Sequence, residues 1–114
     1  MSTIFERIIN RELPATILYE SNNVIVIENL HPMAPVHVLG ITKKPFISMD
    51  TLLDEHTNQT ILWELFAALR QVAGEKGIRK SGYKLVSNCG PDANQSVPHL
   101  HVHLLGGAHL QDGT

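Results

Sequence analysis

His99, Leu100, His101, Val102 and His103 place three imidazoles at alternate positions of one short segment. On an extended strand successive side chains alternate, so the histidines share one face and Leu100, Val102 and Leu104 share the other. An imidazole titrates near neutral pH and carries two distinct nitrogens, so such a row suits nucleophilic catalysis, proton transfer or metal ligation. Alternate strand positions lie about 6.6 Å apart and the outer pair about 13 Å. A neighbouring pair can therefore share a metal ion, but a straight strand does not close all three on one zinc. A fourth ligand would have to come from His37 or a distant carboxylate, with no cysteine pair to help. The expectation is a site without a metal or other cofactor.

The segment before the row, Asn88-Cys89-Gly90-Pro91-Asp92-Ala93-Asn94-Gln95-Ser96-Val97-Pro98, is rich in amide, hydroxyl and backbone N–H donors and poor in bulky side chains. Such a loop can wrap an anion, and oriented neutral donors stabilise charge developing on a phosphoryl oxygen. His101, flanked by imidazoles on both sides, is the best-placed nucleophile for phosphorus, with His103 or His99 supplying or taking a proton. Cys89 has no strongly positive setting that would favour its thiolate. His31, His56 and His109 read as surface or loop residues, and Lys43-Lys44 as a solvated strand end.

These groups must be held by a small scaffold. Ile4, Phe5, Ile8 and Ile9 recur at helical spacing and predict a short helix ending before Pro14. Thr16 to Tyr19 and Val24 to Glu28 flank the turn-forming Glu20-Ser21-Asn22-Asn23 and predict a hairpin; Val36 to Thr42 predicts a third strand. A long helix follows, with Asp54 as its expected N-cap and Gly77 at its C-terminal cap. Its apolar stripe runs through Ile61, Leu62, Leu65, Phe66, Leu69, Val72 and Ala73, with Trp63 at the margin. Tyr83 to Asn88 and the histidine segment are the fourth and fifth strands. The order α-β-β-β-α-β-β has one connection long enough for a crossover. It predicts an α+β fold: a five-stranded, mostly antiparallel sheet with the long and the short helix on one face and the histidines on the other.

At 114 residues the chain is read as one domain spanning residues 1–114. A formal charge of -2 offers no basic footprint for nucleic acid. A single cysteine, no apolar signal core and no membrane-length apolar run lead to the expectation of a cytoplasmic protein without membrane or nucleic-acid partners.

His99-Leu-His101-Val-His103-Leu-Leu resembles the signature of the histidine triad (HIT) superfamily of nucleotide hydrolases and transferases. Phe5 to Ala15 with Tyr19-Glu20, Pro32-Met33-Ala34-Pro35-Val36-His37, Lys43-Lys44, Gly82-Tyr83, Asn88, Gln95-Ser96-Val97 and Gly106-Gly107 are similar to its Hint branch over nearly the whole chain. The resemblance implies a metal-independent homodimer, its sheet continuous across the interface, that hydrolyses purine nucleoside phosphoramidates of the AMP-amine type. It implies that His101 forms a nucleotidyl-enzyme intermediate, that His103 helps protonate the leaving group, and that His99 and His37 support and orient the site. By the same resemblance Asn88 and Ser96 contact the phosphate and sugar, with Gln95 in the same loop. Asn29 stands where the branch usually carries an acidic ribose ligand, and Asn94 replaces a glycine. Gln111-Asp112-Gly113-Thr114 stands where Hint proteins end Trp-Pro-Pro-Gly, so a difference in substrate selection is expected. Gly90-Pro91-Asp92-Ala93 is similar to the Fhit branch, which cleaves dinucleoside polyphosphates. That activity, and a nucleotide-binding module with little turnover, are the alternatives.

Overall fold

The computed structural model describes residues 2–111. Five strands form one sheet: β1 (Ile17–Glu20), β2 (Val24–Glu28), β3 (Val36–Thr42), β4 (Tyr83–Val86) and β5 (His101–Gly106), in the order β1-β2-β3-β5-β4. Every neighbouring pair is antiparallel. The β1–β2 hairpin turns on Ser21, whose Oγ accepts from the Asn23 and Val24 N–H groups (both 3.2 Å). β3 and β5, far apart in sequence, meet in the sheet with Leu39 opposite His103 and Ile41 opposite His101. The predicted α+β class and antiparallel sheet stand, and the histidine strand is central rather than at an edge.

One face of the sheet is covered by α3 (Gln59–Glu75), whose Leu65, Ala68, Leu69, Val72 and Ala73 are buried at helical spacing. They pack on Val24, Val26, Val38, Leu100, Val102 and Leu104, and each fully buried leucine there contributes roughly 1.5–3 kcal/mol. Trp63 lies outside this stripe, 68% exposed. Gly77 ends the helix as expected, at φ 75°. The Ile78 N–H returns to the Ala73 carbonyl and the Gly77 N–H to the Gly74 carbonyl (both 3.0 Å), closing the last turn. The start differs from expectation. Asp54 is not the N-cap: it follows a four-residue helix, α2 (Met49–Leu52), and a single 3₁₀ turn at His56–Asn58 lies between it and α3. Glu55 is extended, which separates Asp54 from the helix; Asn58 sits at the helix start and its amide donates to the Leu52 carbonyl (2.8 Å).

The short helix α1 (Ile4–Ile9) corrects a second expectation, since it lies on the opposite face from α3. Its Phe5 and Ile8 pack on Ile25, Ile27, Leu39 and Ile41. The physical reason is in β2: Val24, Ile25, Val26 and Ile27 are all buried, so both faces of this strand need cover. A capping box fixes the start of α1, with Glu6 N–H donating to Thr3 Oγ1 (3.2 Å) and Thr3 N–H to Glu6 Oε1 (3.0 Å). Among the described residues no helix is long and apolar enough to cross a membrane. Of the segment compared with the Trp-Pro-Pro-Gly ending, residues 112–114 lie outside the described residues.

Candidate active site

Pro98 denies the chain a backbone donor, and the ladder of β5 begins only at His101. Just before it, His99 N–H donates to the Val97 carbonyl and Leu100 N–H to the Phe46 carbonyl (both 2.8 Å). His99 therefore precedes the strand instead of continuing its row. Its side chain is fully buried, with Nε2 donating to the Thr42 carbonyl (2.6 Å) and Nδ1 without a hydrogen-bond partner. The His99 carbonyl accepts from His101 Nδ1 (2.7 Å). That bond fixes the His101 proton on Nδ1 and leaves a lone pair on Nε2. Burial holds the His101 imidazole below its ordinary pKa, so this lone pair stays free at neutral pH.

His103 follows on the same face, its ring 5.3 Å from that of His101 between centroids. Behind it, His37 Nε2 lies 2.9 Å from His103 Nδ1. Met33 N–H donates to His37 Nδ1 (3.0 Å). A nitrogen that accepts a hydrogen carries the lone pair, so the neutral His37 ring holds its proton on Nε2 and donates it to His103 Nδ1. The proton of His103 then resides on Nε2. Burial, with smaller contributions from His101 and His37, pushes the His103 pKa down to about 4, and burial lowers that of His37.

His101 and His103 open into a slot of about 430 Å³ between the sheet and α1. Ile4, Phe5, Ile8, Ile27 and Leu39 make it apolar at one end, and Asn29, Asn88, Asn94 and Ser96 supply polar groups around the histidines. The apolar wall from α1 escaped the sequence reading, which placed that helix over the other face; the uninterrupted Val-Ile-Val-Ile of β2 was the available signal. His31, read as a surface residue, is exposed and also borders the slot.

The loop after β4 keeps its shape through two amides. Gln95 Oε1 accepts from Gly90 N–H (2.8 Å), while its Nε2 donates to the carbonyls of Ile47 (2.6 Å) and Val97 (3.0 Å). Asn88 Nδ2 donates to the Ala93 carbonyl (2.7 Å), and Asn94 adopts the left-handed conformation at φ 59°. Of the sequence-predicted site residues, the structure brings His101, His103, Ser96, Asn88 and Asn29 to the slot. Gln95, His99 and His37 do not line it: Gln95 braces the loop, and the two histidines stand behind His101 and His103. Cys89 is exposed outside the slot. No lysine or arginine lines the slot among the described residues, and Lys43 pairs with Glu20 (2.8 Å). No group of three or more His, Cys, Asp or Glu side chains among the described residues is placed to hold a metal ion.

Residues 2–114 match a family model described as scavenger mRNA decapping enzyme C-term binding. An uncharacterized HIT-like protein of Synechococcus elongatus is 42% identical over 108 residues, covering 95% of this chain and 92% of that protein. The solved structure of a HIT family hydrolase from Clostridium thermocellum superimposes with a TM-score of 0.91 at 44% identity, covering 96% of this chain and 94% of that one. A histidine triad nucleotide-binding protein from Candida albicans gives a TM-score of 0.80 at 25% identity, over 99% of this chain and 86% of that one. With the geometry of His101 and His103 and matches across its whole length, the chain belongs to the HIT-like, or histidine triad, family.

Proposed function

We propose that the protein is a nucleotide-binding hydrolase of the Hint type that cleaves the P–N bond of purine nucleoside phosphoramidates through a nucleotidyl-His101 intermediate. The observation that carries this reading is the bond from His101 Nδ1 to the His99 carbonyl, which leaves Nε2 available beside the slot. The purine stacks in the apolar end against Phe5 and Ile8, and the phosphoryl group sits by Ser96, Asn88 and His101. The His101 Nε2–P bond forms as the P–N bond breaks, and the electron pair leaves with the nitrogen, which takes a proton through His103. Water then attacks phosphorus, the P–Nε2 bond breaks back to His101, and the proton lost by water restores the balance. The products are the nucleoside monophosphate and the free amine.

The charge of the slot favours this substrate over the dinucleoside polyphosphates of the Fhit type. A polyphosphate carries several negative charges, and the described lining offers no lysine or arginine to meet them. A phosphoramidate carries one, within reach of neutral donors. Incubation with an adenosine phosphoramidate is expected to release AMP, and diadenosine polyphosphates to be cleaved far more slowly. AMP release undiminished in His101→Ala overturns the mechanism, and tight AMP binding with no turnover on either substrate class replaces the enzyme by a binding module.

The same reading includes a homodimer in the cytoplasm. β4 is an edge strand, paired with β5 on one side and with no strand on its other side among the described residues, and Leu85 on it is exposed. An open edge of this kind invites pairing with a second copy. Light scattering at micromolar concentration is expected to give twice the chain mass.

A further inference from the structure

The side-chain amides that line or brace the slot are used unequally. Asn29 Oδ1 accepts from His31 N–H (2.9 Å), and its Nδ2 lies 3.1 Å from His37 Nε2. Asn88 Nδ2 donates to the Ala93 carbonyl (2.7 Å), and both ends of the Gln95 amide are bonded within the protein. Asn94 also lines the slot, yet its side chain makes no hydrogen bond with any described residue. Its backbone is settled without that side chain. A single 3₁₀ turn at Pro91–Ala93 ends at Asn94, whose N–H donates to the Pro91 carbonyl (3.0 Å) and whose φ and ψ are 59° and 39°. Glycine takes this left-handed conformation at no steric cost, and asparagine is among the few other residues that tolerate it. The turn therefore uses nothing that the amide supplies.

We infer that Asn94 is a substrate-binding residue: its Nδ2 donates to a non-bridging oxygen of the phosphoryl group beside His101, together with Ser96. The inference deepens the proposed function, because it rests on a nucleotide phosphoryl group sitting at this end of the slot. Asn94 and Ser96 both line the slot, and the residue between them does not. That residue, Gln95, is pinned by Gly90 N–H and by the Ile47 and Val97 carbonyls, and its own N–H donates to the Gly90 carbonyl (3.1 Å). Its two neighbours are thus mounted on a fixed pivot. An amide NH₂ offers two hydrogens and no charge. With no lysine or arginine in the described lining, the phosphoryl charge has to be met by neutral donors of this kind, and preorganised ones gain strength as charge builds on the oxygens in the transition state.

Two substitutions separate the donor from the turn. Asn94→Gly keeps the left-handed backbone and deletes the amide. Asn94→Asp keeps the size of the side chain and its tolerance of that backbone, but puts an oxygen where the NH₂ stood. Among the described residues the lining holds one carboxylate, Glu28, which is paired with Lys76 (2.9 Å); Asp92, on the same turn as Asn94, does not line the slot. Asn94→Asp would therefore place an unpaired negative charge where the phosphoryl group is expected.

The test is NMR titration of the ¹⁵N-labelled protein with AMP and with adenosine, which has the same base and sugar and no phosphate. Asn94→Gly is expected to bind AMP about tenfold more weakly than wild type and adenosine equally well. Asn94→Asp is expected to weaken AMP further, again with adenosine unchanged. AMP affinity at the wild-type level in either variant overturns the inference. Equal losses for AMP and adenosine also overturn it, because they show that the side chain only shapes the loop. Should one variant fail to fold, the other decides by the same contrast. Binding needs no turnover. Absence of P–N cleavage alongside the expected contrast between AMP and adenosine defeats the proposed reaction and leaves the phosphoryl contact standing, whereas a wild type that binds neither ligand overturns both.

Discussion

The ring of Phe5 on the N-terminal helix lies 4.9 Å from the ring of His101, centroid to centroid, at 57°. A short helix at the start of the chain is thus a backstop for the imidazole near its end. Phe5→Ala would remove contacts from the cluster with Ile25, Ile27, Leu39 and Ile41, at a cost of about 3 kcal/mol. It would also let the His101 ring tilt, so kcat is expected to fall along with stability. Urea unfolding measures the first effect and steady-state kinetics the second; a stable variant with wild-type kcat would show that the ring does not brace the nucleophile.

His101 is held below the ordinary imidazole pKa by burial, partly offset by its bond to the His99 carbonyl. Its neutral form therefore persists into mildly acidic solution. The expected kcat/KM profile has its midpoint for the proposed nucleophile below pH 6.5, the pH at which an unperturbed imidazole is half protonated. A profile falling with a midpoint at or above pH 6.5 contradicts the assigned environment.

The depressed pKa of His103 also makes stability depend on pH. Between the ordinary value of 6.5 and about 4, the unfolded chain binds a proton at this residue that the folded protein does not. Its contribution is fully present above pH 6.5 and is lost as pH falls toward 4, amounting to no more than about 3 kcal/mol for this partly exposed ring. The melting temperature of the wild type is expected to drop over that interval more steeply than that of His103→Gln. Parallel curves would show that the folded ring titrates normally.

Gly40 lies on β3 opposite Val102, and a Cβ there would stand 2.9 Å from Leu69 Cδ2 and Cγ. Leu69 is fully buried, so it has little room to retreat. Gly40→Ala is expected to cost about 1–3 kcal/mol by pushing α3 off the sheet. Thermal unfolding monitored by circular dichroism checks this, and a variant as stable as wild type would mean that the core yields more than its packing suggests.

Local pattern made the pairing of His101 with His103, the hairpin and the Gly77 stop legible, because each depends on alternation or on one residue's backbone preference. His99 departed from the row because Pro98 and the turn to Val97 delay the ladder, a long-range pairing with β3 that spacing alone does not encode. The placement of α1 was misread for a similar reason: its stripe showed that it packs, and only the doubly buried β2 shows where. Resemblance gave His37 a supporting role and placed Gln95 in the phosphate loop without saying what either touches. Their side chains meet the Met33 N–H and His103, and the Gly90 N–H and the Ile47 carbonyl, partners that only the folded chain brings near.

Strand β2 is buried on both faces, so its amides open only when both cores separate. Hydrogen exchange there should approach the rate set by global unfolding, while α1, a six-residue helix covering one cluster, exchanges far sooner. The slot beside His101 thus has a slow-opening floor, to which Ile27 of β2 contributes, and a fast-opening wall from α1. The slot can therefore open at α1 while the sheet beneath it stays closed.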